Sequence, residues 1–494
     1  MSSKDISRRD FIKTLGVGTV TTAALAVGCK SPNNTPIEGA ALGEVPTDKM
    51  TYREGSHGEK VSLLGYGCMR WPTVEAESGR EHEEDLDQDK INELVDYAIA
   101  HGVNLFDTAP PYCKGRSEHA TGIALSRHDR SEYLISTKCS NFRADKWSRQ
   151  ATIEMYHNSM KELQTDYLDF YMLHSIGGKG KDLDGNELSP MDTLKARFFD
   201  NGILDFLVEE RAAGRIKNLG FSYHGDIAVF DYMLSLHDKY HWDHVLIQHN
   251  YVDWHHAKQM SESNTNSEYL YSELAKRNIP AFVMEPLLGG QLGKINDHAT
   301  AELKQHEPQM SVASWAFRFS GNQPDILTVL SGMTYMEHLQ DNVRTYSPHK
   351  PLNEDELDLL ERIAKEIASF NLVPCTGCKY CMPCPYGLDI PSVFTHFNRC
   401  LNEGTLITDD AQTDFVDGNL KGKDLKEYRR NRRAYLVGYD RTVPKLRQAN
   451  HCIACNRCLN HCPQGINIPE QMQRIDRYTE QIRQGIYPQS ANKE

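Results

Sequence analysis

No stretch of this 494-residue chain is apolar enough to cross a bilayer. The mildest candidate, residues 15–28, is too short and too polar for a spanning helix, which needs about 20 apolar residues. Basic charge is also in deficit. The 55 Lys and Arg face 68 Asp and Glu, and the net charge of −13 argues against a nucleic-acid partner, whose binding runs on phosphate neutralisation. The one basic run, RRNRR at residues 429–433, reads as a solvated helix face. No flavin-binding signature is present. A disulfide framework is absent too: eight of the thirteen cysteines belong to one repeat, and the rest (Cys29, Cys68, Cys113, Cys139 and Cys400) are scattered and odd in number. What remains is a globular composition, 39% hydrophobic and 25% charged. The length corresponds to about three ordinary domains, or to a barrel of about 250 residues with smaller companions.

The repeat is the strongest signal. Cys375, Cys378, Cys381 and Cys384 stand three residues apart, and Cys452, Cys455, Cys458 and Cys462 nearly repeat them. Each run ends in Cys-Pro-x-Gly-apolar-x-Ile-Pro, from Cys384 to Pro391 and from Cys462 to Pro469. Zinc sites use two pairs rather than two quartets. Disulfides across such short loops violate the required geometry. Two Cys-x2-Cys-x2-Cys runs, each closed by Cys-Pro, fit two 4Fe-4S clusters, each held by three thiolates of one run and the distant Cys-Pro of the other. The first run departs from the usual pattern in its last spacing, which leaves the crossed assignment of Cys384 and Cys462 open.

From Met50 to Tyr346, eight β-type runs alternate with helical periods: residues 62–69, 103–109, 133–139, 167–174, 216–224, 245–251, 279–287 and 326–333. Several are continuous apolar runs, as strands buried on both faces must be. The intervening segments are helical in period. Ile91, Leu94, Val95, Ala98 and Ile99 share one face, with Gly102 as a C-cap. Eight strand–helix units predict a parallel (β/α)8 barrel, with a hairpin before Ser62 closing its floor. In such a barrel chemistry sits at the strand C-termini. Asp107, Tyr112, Lys138 and His174 lie at or just beyond those ends. Singly, each has a bland reading as turn cap, wall, stray charge or core histidine. Jointly they do not, because an apolar strand ending in lysine needs a counter-charge inside the mouth. Trp71 and residues 253–256 are further candidates for the pocket lining. Metal binding by His255 and His256 is disfavoured, since adjacent side chains diverge.

FDTAPPYCKGRSE, STK, SMKELQTDYLDFYMLH, MEPLLGG and SGMTYMEHLQDN, in this order over about 300 residues, resemble the aldo-keto reductase family. With the cysteine repeat appended, the chain resembles ferredoxin-fused aldo-keto reductases of bacteria. The resemblance implies that Asp107, Tyr112, Lys138 and His174 form a catalytic tetrad for hydride exchange between a nicotinamide, NAD or NADP, and a small carbonyl or alcohol, sugar-like among the options. Tyr112 would be the general acid, its pKa lowered by Lys138. Asp107 would hold Lys138, and His174 would orient the substrate oxygen. The resemblance also implies Ser222, Gln248 and Asn250 at the nicotinamide amide. It places Pro286, Leu287, Gly289 and Gly290 along the pyrophosphate, and Ser331, Gly332, Met333, Asp341 and Asn342 near the adenosine. Two positions depart from the family. Glu285 replaces an aromatic residue that stacks on nicotinamide, and Gly332 and His338 replace basic residues that grip the 2′-phosphate of NADP.

The expected order is therefore residues 1–29 as a signal, 30–49 a flexible linker, 50–350 the barrel, 351–374 a connecting helix, 375–484 a two-cluster domain and 485–494 a tail. SRRDFIK at residues 7–13 resembles a twin-arginine export signal, which suits a protein whose clusters are inserted before export. LAVGC, ending at Cys29, resembles a lipobox. These features place the protein in the periplasm or cell envelope, touching the membrane only through a lipid at Cys29. Two functions stay open. One is an oxidoreductase whose clusters relay electrons to or from a partner protein. The other is a non-enzymatic electron-transfer or scaffold protein that retained the barrel.

Overall fold

The computed structural model describes residues 44–75, 81–261, 264–369, 372–406 and 421–485. The export motif, Cys29, most of the linker and residues 486–494 lie outside the described residues. Strands β1 (Leu64–Gly67), β2 (Leu105–Asp107), β3 (Leu134–Cys139) and β4 (Leu168–Ile176) begin the barrel. Strands β5 (Ile216–Tyr223), β6 (His244–Gln248), β7 (Ala281–Met284) and β8 (Ile326–Ser331) complete it. The eight form a closed barrel in sequence order, every neighbouring pair parallel, with β8 pairing back onto β1.

The strand period of two decides which side chains face where. Leu105, Phe170, Met172, Leu246 and Phe282 pack together in one cluster. Their sequence neighbours Phe106, Tyr171, Leu173, Val245, Ile247, Ala281 and Val283 join the larger core under the helices. The same alternation carries Asp107 in phase with Leu105, and His174 in phase with Phe170 and Met172. The helix at Gln88–Ala100, α1, buries Ile91, Leu94, Val95 and Ala98, and Gly102 follows at φ 86°. An antiparallel hairpin, Tyr52–Glu54 with Lys60–Ser62, lies beneath the barrel. Its Arg53 donates to the carbonyls of Gly321, Gln323 and Ile326 at the start of β8.

The segment after β4 is ordered. It forms a short hairpin, Gly180–Lys181 with Glu187–Leu188, and helix α2 (Pro190–Phe198), which starts at a Ser189 cap. Helix α3 (Val312–Ser320) precedes β8, and helix α4 (Glu354–Ser369) follows it. A buried bidentate pair ties the two: both terminal nitrogens of Arg318 donate to Glu356 at 2.9 Å. The cluster domain is helical, with α5 (Ile390–Asn402), α6 (Gly422–Thr442) and α7 (Ile468–Gln484) around a core of Val393, Phe394, Tyr435, Tyr439, Met472 and Ile475. The repeated Gly-x-x-Ile-Pro explains its symmetry. Gly387 and Gly465 take positive φ in the turns, and each Pro enters the first turn of its helix, where no amide is needed. The basic run on α6 is more than a solvated face. Arg432 donates to the carbonyls of Ile482 and Arg483, capping the C-terminal end of α7.

Removing one partner of a buried, bidentate pair strands the other charge. Glu356→Ala should therefore lower unfolding stability by about 3–5 kcal/mol in urea titrations, whereas an apolar replacement of both Arg318 and Glu356 should cost far less.

Candidate active site at the barrel mouth

The mouth is organised around one buried ammonium. Lys138 is fully buried, and its Nζ donates to Asp107 Oδ2 at 2.6 Å and to the Thr108 carbonyl at 2.7 Å. Ser136 on the same strand donates to Asp107 Oδ1 at 2.7 Å and fixes the carboxylate. Tyr112 follows β2 in a short helical turn, and Lys138 Nζ sits 4.7 Å from its ring centroid. The His174 ring meets Tyr112 edge-on, with centroids 5.9 Å apart. Nδ1 of His174 is engaged with Ser140 Oγ at 2.6 Å, leaving Nε2 for a substrate oxygen. Behind His174, Arg197 on α2 donates to its carbonyl at 2.7 Å, to Ser175 O and to Asn141 Oδ1. The segment after β4 is thus a brace for the histidine. The four tetrad residues come together in one site.

The electrostatics differ from expectation at one point. The Tyr112 hydroxyl is held well above the usual tyrosine range, first by burial and then by the Asp107 carboxylate. The net direction is the opposite of the lowering that the resemblance implied, because burial and the carboxylate prevail. The neighbouring Tyr380 hydroxyl acts in the opposite direction. His174 is pushed well below its ordinary value by burial, with Lys138 and Arg197 adding to the effect. The resting pair is therefore a neutral phenol and a neutral imidazole.

Tyr380 stands between Cys378 and Cys381, so the cluster domain reaches into the mouth. Its ring lies 6.2 Å from Phe142, which in turn lies 4.8 Å from His174. The whole loop is seated there. Arg70 donates to the Thr376 carbonyl at 2.6 Å and Gln291 to that of Cys375 at 3.3 Å. Gly289 is in such close contact that a Cβ there would approach Thr376 Cα to 2.3 Å. The second run docks beside it. Gln464, in the turn after Cys462, donates to Gln248 Oε1 at 3.2 Å and accepts from Ser261 Oγ at 3.0 Å.

Among the described residues, no three side chains converge tightly enough for a single metal ion. A cubane takes its ligands at separate corners, and the thiols suit that arrangement. Cys375, Cys378 and Cys381 each lie near Cys462, and Cys381 also lies near Cys458. Cys458 lies near Cys452, Cys455 and Cys384. These cysteines are all unpaired, and Cys400 is a buried thiol against His396.

The residues implied for a dinucleotide are arranged less uniformly. Ser222 Oγ accepts from the Ser175 amide, and Gln248 and Asn250 both donate to Asp253 Oδ2. Pro286, Leu287, Gly289 and Gly290 form the turn after β7, and a Cβ on Gly290 would meet open space. Ser331 accepts from Asn342 at 3.0 Å, and Asp341 accepts from Ser311 at 2.6 Å. Gly332 faces the Arg70 side chain. Small residues and a guanidinium suit a dinucleotide's phosphates along this groove. Met333 is buried in the core and not in the groove. Glu285 is buried beside Asn250, whose Nδ2 donates to its carbonyl at 3.1 Å. Trp71 belongs to the core, its indole donating to Thr121, and His255 and His256 both face Glu361. Sequence reasoning missed Arg70, Ser140, Phe142, Arg197, Tyr380 and Gln464. Of these, only Tyr380 carried a signal, an aromatic residue inside a ligand run.

The aldo/keto reductase family model matches residues 63–365. The chain belongs to the aldo/keto reductase family. A 4Fe-4S dicluster domain matches residues 374–468. The protein is thus an oxidoreductase that joins a barrel of this family to two 4Fe-4S clusters. Among curated proteins it is 26% identical to Protein tas of Escherichia coli over 363 residues, covering 64% of this chain and 97% of that protein. It is 23% identical to the uncharacterized oxidoreductase YqkF of Bacillus subtilis, covering 62% and 94%. Among solved structures, aldo-keto reductase AKR11C1 from Bacillus halodurans is similar at 21% identity and a TM-score of 0.47, covering 66% of this chain and 100% of that one.

A phenol held neutral and an imidazole held neutral give a flat pH response for proton donation. Carbonyl reduction should vary less than about twofold between roughly pH 6 and 9, measured as kcat. A fall centred near neutrality would show that Tyr112 or His174 titrates there.

Proposed function

We propose that the protein interconverts a small carbonyl and its alcohol at the barrel mouth and exchanges the electrons through its clusters with a partner. The observation that carries this reading is the complete tetrad, with Lys138 and Asp107 paired against Tyr112 and His174. A barrel kept only as scaffold has no need to bury an ammonium at its mouth.

Tyr112 gives its proton to the carbonyl oxygen as negative charge develops there, and takes it back in the reverse direction. His174 Nε2 fixes that oxygen and stabilises its charge. Lys138 and Asp107 hold the Tyr112 ring in place as a neutral pair that needs no rearrangement during the reaction. Gly290, Ser331, Gly332, Asn342 and Arg70 would hold a nicotinamide dinucleotide, which when bound supplies the hydride. Cys375, Cys378, Cys381 and Cys462 would hold one cubane, and Cys384, Cys452, Cys455 and Cys458 the other. When bound, each cluster would supply one-electron transfer to or from the partner. Glu285 and Gly332 leave NAD and NADP both open. The substrate is a compact carbonyl or alcohol, sugar-like among the candidates, since the cluster loop narrows the mouth.

Location belongs to the same reading. Arg8 and Arg9 in the SRRDFIK motif support twin-arginine export to the periplasm or envelope, and LAVGC supports lipidation at Cys29. Residues 30–49 would then tether the barrel and the dicluster domain to the membrane.

Anaerobically purified protein should contain about eight irons per chain. Tyr112→Phe should lower carbonyl reduction at least about a hundredfold while leaving nucleotide binding, read by tryptophan fluorescence, within about twofold. Equal activity in the variant would overturn the assignment of Tyr112.

A further inference from the structure

The turn that leaves β3 holds a further polar group against the tetrad. Ser140 and Asn141 follow Cys139, the last residue of the strand, and both are buried. The Ser140 hydroxyl lies 2.6 Å from His174 Nδ1. Its other acceptor within reach is the Lys138 carbonyl at 3.4 Å, beyond the roughly 2.5–3.0 Å that an O–H···O bond takes. The hydroxyl proton is therefore directed at Nδ1. The spacing does not depend on a loose turn. Asn141 donates to the Arg197 carbonyl at 2.9 Å and accepts from Arg197 Nε at 3.2 Å. The same guanidinium donates to the carbonyls of His174 at 2.7 Å and Ser175 at 3.0 Å. On the far side, the Trp147 indole donates to the Asn141 carbonyl at 2.8 Å. One buried guanidinium thus ties the end of β3 to the end of β4.

We infer that Ser140 is a positioning residue of the carbonyl chemistry: its hydroxyl donates to His174 Nδ1 and so keeps the imidazole proton on Nε2, the nitrogen left for the substrate oxygen. The inference rests on the carbonyl reading and deepens it. A neutral imidazole carries one ring proton, so a nitrogen that accepts obliges the other to donate. Burial, with Lys138 and Arg197 close by, keeps His174 neutral. The other tautomer would present a lone pair to an oxygen that gains negative charge, and would repel that charge instead of stabilising it. With Ser140 in place the donor is set before substrate arrives and needs no rearrangement as the charge develops. Arg197 fixes where the imidazole stands, and Ser140 fixes which nitrogen holds its proton. The residue two beyond Lys138 therefore serves the histidine of the next strand and not the lysine of its own.

The test uses full-length, anaerobically purified holoprotein as wild type, Ser140→Ala, Ser140→Thr and His174→Gln, with iron content matched. The first readout needs no turnover. In protein labelled with 15N-histidine, the pair of ring resonances lost in His174→Gln belongs to His174. In the wild type its Nδ1 should resonate as a bare nitrogen and its Nε2 as an N–H nitrogen. Ser140→Ala should draw the two toward each other as both tautomers become populated. The kcat for carbonyl reduction should fall about tenfold in Ser140→Ala with KM within about threefold. Ser140→Thr keeps the hydroxyl and should retain at least about half of the wild-type kcat. A proton on Nδ1 in the wild type would overturn the inference. Unmoved resonances in Ser140→Ala, or an unchanged kcat in that variant, would overturn it as well. The expected resonances in a protein that reduces no carbonyl would keep the Ser140 contact and sink the carbonyl reading instead.

Discussion

The buried pair of Lys138 and Asp107 is the constraint from which the rest of the site follows. An ammonium with no exposure to water needs compensating partners, and here a carboxylate and a backbone carbonyl take two of its three protons. The same carboxylate, together with burial, holds the Tyr112 hydroxyl well above the usual tyrosine range, so Tyr112 stays protonated. The first cysteine run comes down on the same mouth, held by Arg70 and Gln291.

This arrangement changes what the appended domain is for. A domain that only carried electrons could sit anywhere within transfer range of the barrel. Instead, both ligand runs touch the mouth, the first through residues 375–380 and the second through Gln464. A cubane held as proposed, by Cys375, Cys378, Cys381 and Cys462, would draw one turn from each run to a single point against β6 and the turn after β7. Glu285, which departs from the family pattern, and Gly289 both lie where the loop comes down, against Thr376.

Much of the fold was legible in the sequence because it rests on local rules. The eight apolar runs became the eight barrel strands, the segment before Ser62 became the floor hairpin, and the repeated Gly-x-x-Ile-Pro became two matched turns that lead into helices. Asp107, Tyr112, Lys138 and His174 could be named because strand ends and ligand types are local properties. What was not legible depends on which distant segments meet. Arg197 supports His174 from a stretch that reads as a loop. Tyr380 comes near Phe142, a residue of a different domain. The direction of the Tyr112 shift could not be read either, because it depends first on how deeply the hydroxyl is buried. Trp71 looked like a pocket wall by position, yet its indole finds Thr121 and it packs into the core.

The central claim is that the cluster loop closes onto a working aldo/keto reductase mouth. An anaerobic crystal structure of the holoprotein tests it most directly. The account predicts a cubane on Cys375, Cys378, Cys381 and Cys462 beside the mouth, with the Tyr380 ring near Phe142 and Lys138 on Asp107. A cubane held by the four cysteines of one run alone, with Tyr380 turned to solvent, would contradict it.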